Sequence, residues 1–259
     1  MPGTPRSHYV ELAPPADLAP YVRHLWVQVV GEGAGPYTQP VLPDGCIDLI
    51  ASERGLAVAG PSTEAFTVRL APGAWSVGAQ FHPGAAPPLL GPGADDLRDG
   101  SVAAEDLWGR TGRVLSDRAL AADGRDARLA VLVEALRDRA IHAPKVDPAV
   151  SGSVRALRRR PGTPVPVLAD AAGLSERQLR RRVEAAVGYS PRTLARVMRF
   201  QQFLDTARAA GPGGHDLAGL AATAGYADQA HLTRETRRLA GLPPAALLAW
   251  EAERLAPAS

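Results

Sequence analysis

Short runs of β-branched and aromatic residues alternate with turn residues in the front part of this chain. The run RHLWVQVV at 23–30 lies between Pro20 and a glycine-rich stretch, which predicts a strand. The turn signal Pro43-Asp44-Gly45 leads into Cys46–Ile50, which predicts a second strand. Further runs of this kind are Leu56–Ala59, Phe66–Leu70 and Trp75–Phe81. Short strands at this spacing predict an antiparallel barrel or sandwich, and of the two we favour a β-rich, barrel-like (cupin-like) domain.

After Phe81 the apolar positions change to a helical period. Two short helical segments are predicted at Pro87–Leu90 and Ala103–Trp108, and a longer helix at Ala127–Arg139, where the apolar residues form one stripe. The segment Ala143-Pro144-Lys145 is the predicted linker. The 259 residues suit one to two domains, and we predict a front domain over 1–143 and a back domain over 146–255.

The back domain reads as helices separated by short turns. A helix is predicted at Pro148–Arg159, another at Val165–Ala171, and a third at Ser175–Val187, where Ser175 is a natural N-cap. Gly173 lies in the turn between the last two. In the third helix, Leu179, Val183 and Val187 share the inner face, so arginines occupy the outer face. Helix, glycine turn and arginine-rich helix is the helix-turn-helix arrangement.

The same arrangement recurs 52 residues later. Leu217–Ala224 and Asp228–Ala240 predict two helices around Gly225, with Asp228 as the N-cap, and Pro191–Arg208 predicts a long helix between the two units. The fold class is therefore α+β, with an all-α domain of two helix-turn-helix units joined by one helix. Two such units on one rigid helix can meet successive major-groove segments about 34 Å apart. A single chain could then read an asymmetric site.

Charge is unevenly distributed along the chain. Residues 1–145 carry a net −4, whereas residues 146–259 carry a net +6, with arginine as the only basic residue there. Arginine matches phosphate oxygens and guanine edges in a bidentate manner, so this asymmetry favours a nucleic-acid partner for the back domain. The alternative is that high-GC coding alone enriches arginine.

Two long segments carry a family resemblance. Residues 172–200, AGLSERQLRRRVEAAVGYSPRTLARVMRF, and residues 217–247, LAGLAATAGYADQAHLTRETRRLAGLPPAAL, resemble the DNA-binding domain of AraC/XylS transcription regulators. The turns Gly188-Tyr189-Ser190-Pro191 and Gly241-Leu242-Pro243-Pro244, and the segment 225–229, fall where that family has its motifs. The resemblance covers about residues 150–250 and implies sequence-specific binding to double-stranded DNA.

The resemblance also implies a set of contact residues. Base-facing candidates are Arg177, Arg180 and Arg181 in the first unit, and Gln229, His231, Thr233 and Arg234 in the second. Arginine would read guanine and glutamine would read adenine. The alternative is that some of these side chains contact only phosphates or pair with Glu176 and Glu184. Phosphate or structural contacts are expected from Arg199, Arg237 and Arg238.

The chain departs from the family pattern in the second unit. Thr236 places a hydroxyl where family members usually have an aromatic group, and Pro243 replaces a serine or threonine cap. Thr236 either bonds back to a helix carbonyl or leaves the second unit less tightly packed. Neither change touches the outer face.

The front domain resembles an N-terminal domain found on some of these regulators, on the segments LPDGCIDLI at 42–50 and GAQFHPGA at 78–85. Two hypotheses follow for it. It senses a small-molecule effector, which changes how it restrains the helix-turn-helix pair, or it is a ligand-free interaction or dimerisation module. An activator would also contact RNA polymerase, and a homodimer is a further expectation.

The sequence argues against an enzyme, a cofactor or a metal. Cys46 is the only cysteine, so a disulfide and a multi-cysteine zinc site are excluded, and with them a DNA-repair methyl acceptor. We expect Cys46 to be buried and structural. The histidines show no cupin-type cluster; they are His8, His24, His82, His142, His215 and His231.

Four other side chains are assigned mainly to the core, with the alternative that one or two of them line a ligand cavity; they are Trp26, Trp75, Phe81 and Trp108. Asp44 reads as a turn residue, whereas Asp48 either lines a pocket or satisfies a turn. The chain has no apolar run long enough to cross a bilayer and no secretory signal at its start. The cytoplasm is therefore the expected location.

Overall fold

The strands of the front domain are short, and two in the middle of the sheet, Val22–Val30 and Trp75–Phe81, are largely buried on both faces. The computed structural model describes residues 7–33, 36–211 and 216–255. His215 lies outside this described part. The strands are β1 (Ser7–Leu12), β2 (Val22–Val30), β3 (Tyr37–Val41), β4 (Asp48–Ser52), β5 (Gly55–Ala59), β6 (Phe66–Leu70), β7 (Trp75–Phe81) and β8 (Ser101–Ala103).

Six strands pair in the order β1-β2-β7-β4-β5-β8, and β3 pairs with β6 in a separate two-stranded ribbon. All of these pairs are antiparallel, so the prediction of an antiparallel β-rich domain is confirmed. The predicted strand at Cys46–Ile50 begins two residues later, at Asp48, because the Pro-Asp-Gly turn extends through Cys46.

One face of the six-stranded sheet is apolar and carries the core. Leu25, Val27, Leu49 and Val77 are buried on this face, and Phe81 is completely buried. The helices that cover it are α3 (Arg110–Ala121) and α4 (Gly124–Ala140). Two short helices complete the domain, α1 (Pro87–Leu90) and α2 (Ala104–Trp108). The predicted helix at Ala127–Arg139 is the central part of α4.

Of the four aromatic side chains assigned to the core, three lie in it or pack against it, whereas Trp26 lies on the opposite face of the sheet. Phe81 and Trp26 are buried. Trp75 and Trp108 are partly buried, and each has an arginine guanidinium stacked over its ring. A guanidinium over an indole shields its apolar face while the charge stays near solvent. Cys46 is also buried, as expected.

The back domain has its own hydrophobic core, formed by seven helices. They are α5 (Pro148–Arg159), α6 (Val165–Ala171), α7 (Glu176–Val187), α8 (Pro191–Ala210), α9 (Leu217–Thr223), α10 (Gln229–Ala240) and α11 (Pro244–Leu255). The all-α back domain with a long joining helix is thus confirmed. The split at 144–145 stays a prediction, although the first core extends to Ala143 and the helices of the second begin at Pro148.

No helix among the described residues is long and apolar enough to cross a membrane. In the same part of the chain, no group of three or more histidine, cysteine or acidic residues is arranged to hold a metal ion.

Candidate nucleic-acid interface

The first helix-turn-helix unit consists of α6, a turn and α7. Gly173 has a positive φ of 64°, and the next residue, Leu174, donates its N–H to the Ala169 carbonyl at 3.0 Å. Ser175 then caps α7. Its hydroxyl accepts from the Gln178 N–H, and the Gln178 side chain accepts from the Ser175 N–H, which is a complete capping box. The predicted N-cap is confirmed.

The outer face of α7 carries four arginines in different environments. Arg180 donates to Glu184 at 2.8 Å, which raises the pKa of the guanidinium. Arg182 reaches Asp147 at 3.4 Å. Arg177 and Arg181 are exposed and make no hydrogen bond or ion pair with any residue in the described ranges. They are therefore the arginines of α7 that are available to a ligand.

The second unit repeats the first in its backbone geometry. Gly225 has a φ of 78°, and Tyr226 donates its N–H to the Ala221 carbonyl at 2.8 Å. This bond lies 52 residues after its counterpart in the first unit. Asp228 caps α10 by accepting from the His231 N–H at 2.6 Å, so its predicted role is confirmed. The two recognition helices therefore begin from the same local structure.

The candidate residues of α10 differ in how far they are exposed. Gln229 and Arg234 are exposed and help line an open surface depression with a volume of about 520 Å³. His231 is half-buried, where its ring packs edge-on against Tyr226 and its Nδ1 accepts from the Ala227 N–H. Its side chain therefore has a structural contact as well as an exposed part.

Two threonines of α10 bond back to the helix. The Thr233 hydroxyl donates to the Gln229 carbonyl at 2.9 Å, on the outer face. Thr236 is completely buried, and its hydroxyl donates to the Leu232 carbonyl at 2.8 Å. Of the two alternatives for Thr236, the structure shows the first, because the buried hydroxyl finds a partner within its own helix.

Helix α8 joins the two units and is fixed to the second one by ion pairs. Arg196 makes a bidentate contact with Glu235 of α10, at 2.6 and 3.1 Å. Arg208 makes another with Glu251 of α11, at 2.8 and 2.9 Å. Paired N–H···O bonds of this kind restrict orientation as well as distance. The second unit is therefore held firmly on α8.

Arg199, which was expected to make a phosphate or structural contact, lies inside the back domain. Its guanidinium is 5.5 Å from the centre of the Tyr226 ring, and Nη2 is 3.5 Å from the Pro161 carbonyl. The side chain is half-buried between the segment before α6 and the turn of the second unit. This position favours the structural role. Arg237 and Arg238 are both exposed near the end of α10.

The front domain has a polar inner face on the side of the sheet opposite the helices. The Trp26 ring lies across Gly78, where a Cβ atom would collide with it, and its Nε1 donates to Asp48 at 2.7 Å. The Gln80 amide donates to both Asp44 and Asp48, at 3.2 and 3.4 Å. Asp44 also accepts from the Cys46 N–H, which confirms its role in the turn.

These two carboxylates lie in an environment that disfavours their charge. Burial and the nearby Asp44 raise the pKa of Asp48 to about 7. Burial also raises the pKa of Asp44. Neither makes an ion pair with a residue in the described ranges. Both side chains keep a small exposed area.

Comparisons with known proteins agree with this arrangement. Residues 10–103 match a family described as a domain of unknown function (DUF6597). Residues 168–249, which include both helix-turn-helix units, match a family described as a helix-turn-helix domain. No curated protein sequence matches the chain.

Several solved structures are similar over most of the chain. A structure of ToxT from Vibrio cholerae O395 has a TM-score of 0.43 at 8% identity, covering 94% of this chain and 96% of ToxT. A 1.65 Å structure of V. cholerae ToxT has a TM-score of 0.44 at 10% identity, covering 94% and 97%. A third, of ToxT from strain SCE256 bound to an unsaturated fatty acid, has a TM-score of 0.39 at 9% identity, covering 93% and 94%.

The family match rests on residues that the structure places in two capped units of the same geometry. The matched helix-turn-helix domain is of a type found in transcriptional regulators. Residues 168–249 form a helix-turn-helix domain of the AraC type, which supports a DNA-binding transcription regulator.

Proposed function

We propose that this regulator reads DNA by placing α7 and α10 in successive major-groove segments of one duplex. The observation that carries the proposal is the repeated unit. Both helices start from the same glycine turn and N-cap, 52 residues apart, and both present polar side chains outward. Because α8 joins them, one chain presents both helices without a second copy.

The exposed side chains divide into two groups by what they can contact. Arg177 and Arg181 on α7, and Gln229 and Arg234 on α10, are exposed near the starts or centres of the helices. Their chemistry suits guanine O6 and N7 for arginine, and adenine N6 and N7 for glutamine. Arg237 and Arg238 lie at the far end of α10 and suit phosphates, which position the protein without reading sequence.

The test is a binding measurement with the full chain. Fluorescence anisotropy would follow binding to labelled intergenic DNA that flanks the chain's own coding sequence, over a series of salt concentrations. We expect selective binding over a scrambled duplex, with an affinity that falls steeply as salt rises, since arginines displace counterions from phosphates. Equal affinity for the two duplexes at every salt concentration would contradict sequence-specific recognition.

For the front domain, the structure supports the sensing hypothesis over a ligand-free module. The inner face carries Trp26, Asp48 and Gln80 in a polar setting. Arg23 lies near enough to lower the pKa values of Asp44 and Asp48, but neither carboxylate has an ion-pair partner within 4 Å in the described part of the chain. A ligand that brings positive charge or several N–H groups would supply what these carboxylates lack. We infer that an effector of this chemistry binds there.

Thermal unfolding of the protein with small organic amines tests the effector proposal. The matched controls are carboxylic acids of similar size and the Asp48→Asn variant. We expect millimolar amines to raise the Tm of the wild type by a few degrees, because a ligand bound only to the folded state stabilises it. The acids should have no such effect, and the variant should respond less. An equal response to amines and acids would contradict the proposal.

A further inference from the structure

Two loops of the front domain meet the C-terminal end of the first recognition helix. The Ala94 N–H donates to the Ala185 carbonyl of α7 at 2.8 Å, and Arg98 Nη1 donates to the Gly188 carbonyl at 3.1 Å. Pro61, from the loop between β5 and β6, packs on Gly188 so closely that any Cβ there would collide with it. The end of α7 is therefore docked on the front domain.

The loop between β5 and β6 also reaches the second recognition helix. The Ala65 N–H donates to the Leu239 carbonyl at 2.7 Å, close to the end of α10. The last carbonyls of a helix have no partner within the helix and usually turn to water or caps. Here the front domain donates to these carbonyls on both recognition helices. We call residues 60–65 and 94–99 the clamp.

The two loops of the clamp are locked to each other by Asp99. Its carboxylate accepts from the Thr63 N–H at 2.6 Å and from the Thr63 hydroxyl at 2.9 and 3.0 Å. Its own N–H donates to the Pro61 carbonyl at 3.1 Å. Asp99 also has a φ of 57°, in the left-handed region. A non-glycine residue keeps that conformation where its surroundings hold it.

A single body that binds both helix ends restricts their separation. We propose that the clamp sets the distance between α7 and α10, and thereby selects the spacing of the two half-sites in the operator. Half-site spacing follows directly from the geometry of the recognition helices, so a small relative shift changes which spacing fits. This inference rests on the DNA-binding function proposed above and adds to it the residues that determine spacing.

The competing explanation is that α8 alone sets the spacing. Its contact with α10, through Arg196 and Glu235, is strong and independent of the front domain. The first unit has no such bidentate ion pair to α8 in the described residues, whereas its helix end is docked on the clamp. Loss of the clamp contacts should therefore let α7 move relative to α8 more than it lets α10 move.

The test changes the spacing between the half-sites in the DNA and removes the Asp99 hydrogen bonds in the protein. A duplex selected by the wild-type full chain from a random pool would be remade with one base pair inserted or removed between the half-sites. We expect Asp99→Ala to lower the preference for the original spacing by about threefold to tenfold, the range for residues that couple two sites. Affinity for a duplex with only one half-site should not change.

Two variants provide the comparison. Asp96→Ala removes an exposed carboxylate from the same loop and should leave the preference unchanged. Arg98→Ala removes one of the contacts with α7 and should have an intermediate effect. If Asp99→Ala does not fold, as judged by circular dichroism, Thr63→Val removes the hydroxyl bonds alone and should shift the preference in the same direction.

The outcomes separate the two proposals. A folded Asp99→Ala protein with the wild-type spacing profile would overturn the clamp and assign the spacing to α8. A wild-type protein that selects no sequence from the pool would instead contradict the DNA-binding proposal.

Discussion

Replacing Arg177 or Arg181 with alanine is expected to weaken operator binding by about 10- to 100-fold, the range for losing one bidentate contact with guanine. Both side chains are exposed on α7 and have no hydrogen-bond or ion-pair partner among the described residues. Binding to scrambled DNA should change much less, since base contacts do not contribute there. Fluorescence anisotropy on the two duplexes measures both effects.

Arg180→Ala is the matched control. It removes the same charge from the same helix, but Arg180 is paired with Glu184 at 2.8 Å. An exposed pair of this kind contributes little to stability because solvent screens it, so the fold should survive. We expect Arg180→Ala mainly to change the salt dependence of binding. It should lower the preference for operator over scrambled DNA less than Arg177→Ala or Arg181→Ala does. Equal losses of specificity in all three variants would contradict the assignment of base contacts to Arg177 and Arg181.

Phe203→Ala is expected to lower the free energy of unfolding by about 3–5 kcal/mol, the usual cost of removing a fully buried aromatic ring. Phe203 is completely buried on α8, in the core shared by the two helix-turn-helix units. The loss combines the transfer of the ring out of the core with the cavity left behind. Urea unfolding followed by circular dichroism measures it, and the midpoint should fall with little change in slope.

Two variants on the same helix test whether this loss comes from the core. Phe203→Leu keeps most of the apolar volume and should cost less than Phe203→Ala. Asp205→Ala removes an exposed carboxylate that pairs with Arg208 at 3.2 Å, and should cost much less than Phe203→Ala because exposed ion pairs contribute little. A Phe203→Ala protein as stable as Asp205→Ala would show that the core of the back domain does not depend on this ring.

The helix-turn-helix units could be predicted from sequence because their signals are local. Ser175 and Asp228 cap helices that start within one residue of each, and Gly173 and Gly225 occupy turn positions with positive φ. Caps and glycine turns act over a few residues, so they can be recognised without knowledge of the rest of the chain. The strands β2, β5, β6 and β7 are also predicted from a local signal, because each is a short run that contains β-branched or aromatic residues and is bounded by turn residues.

Other elements depend on partners distant in sequence. The strand β1 was not predicted, because its residues SHYVEL lack a strong pattern; it forms by pairing with the free edge of β2. The helix α3 was also missed. It contains Gly112, which approaches the Ala104 backbone so closely that a Cβ would not fit. Such packing is decided only when the chain has folded.

The sequence by itself determined that this chain has two capped helix-turn-helix units with polar outer faces, because helix periodicity and capping are properties of neighbouring residues. Only the tertiary structure decided which of the arginines remain available. Arg180 is paired with Glu184, whereas Arg199 lies against Tyr226. It also decided that residues 60–65 and 94–99 meet the ends of both recognition helices. Contacts of this kind join residues far apart in the chain, and no local pattern encodes them.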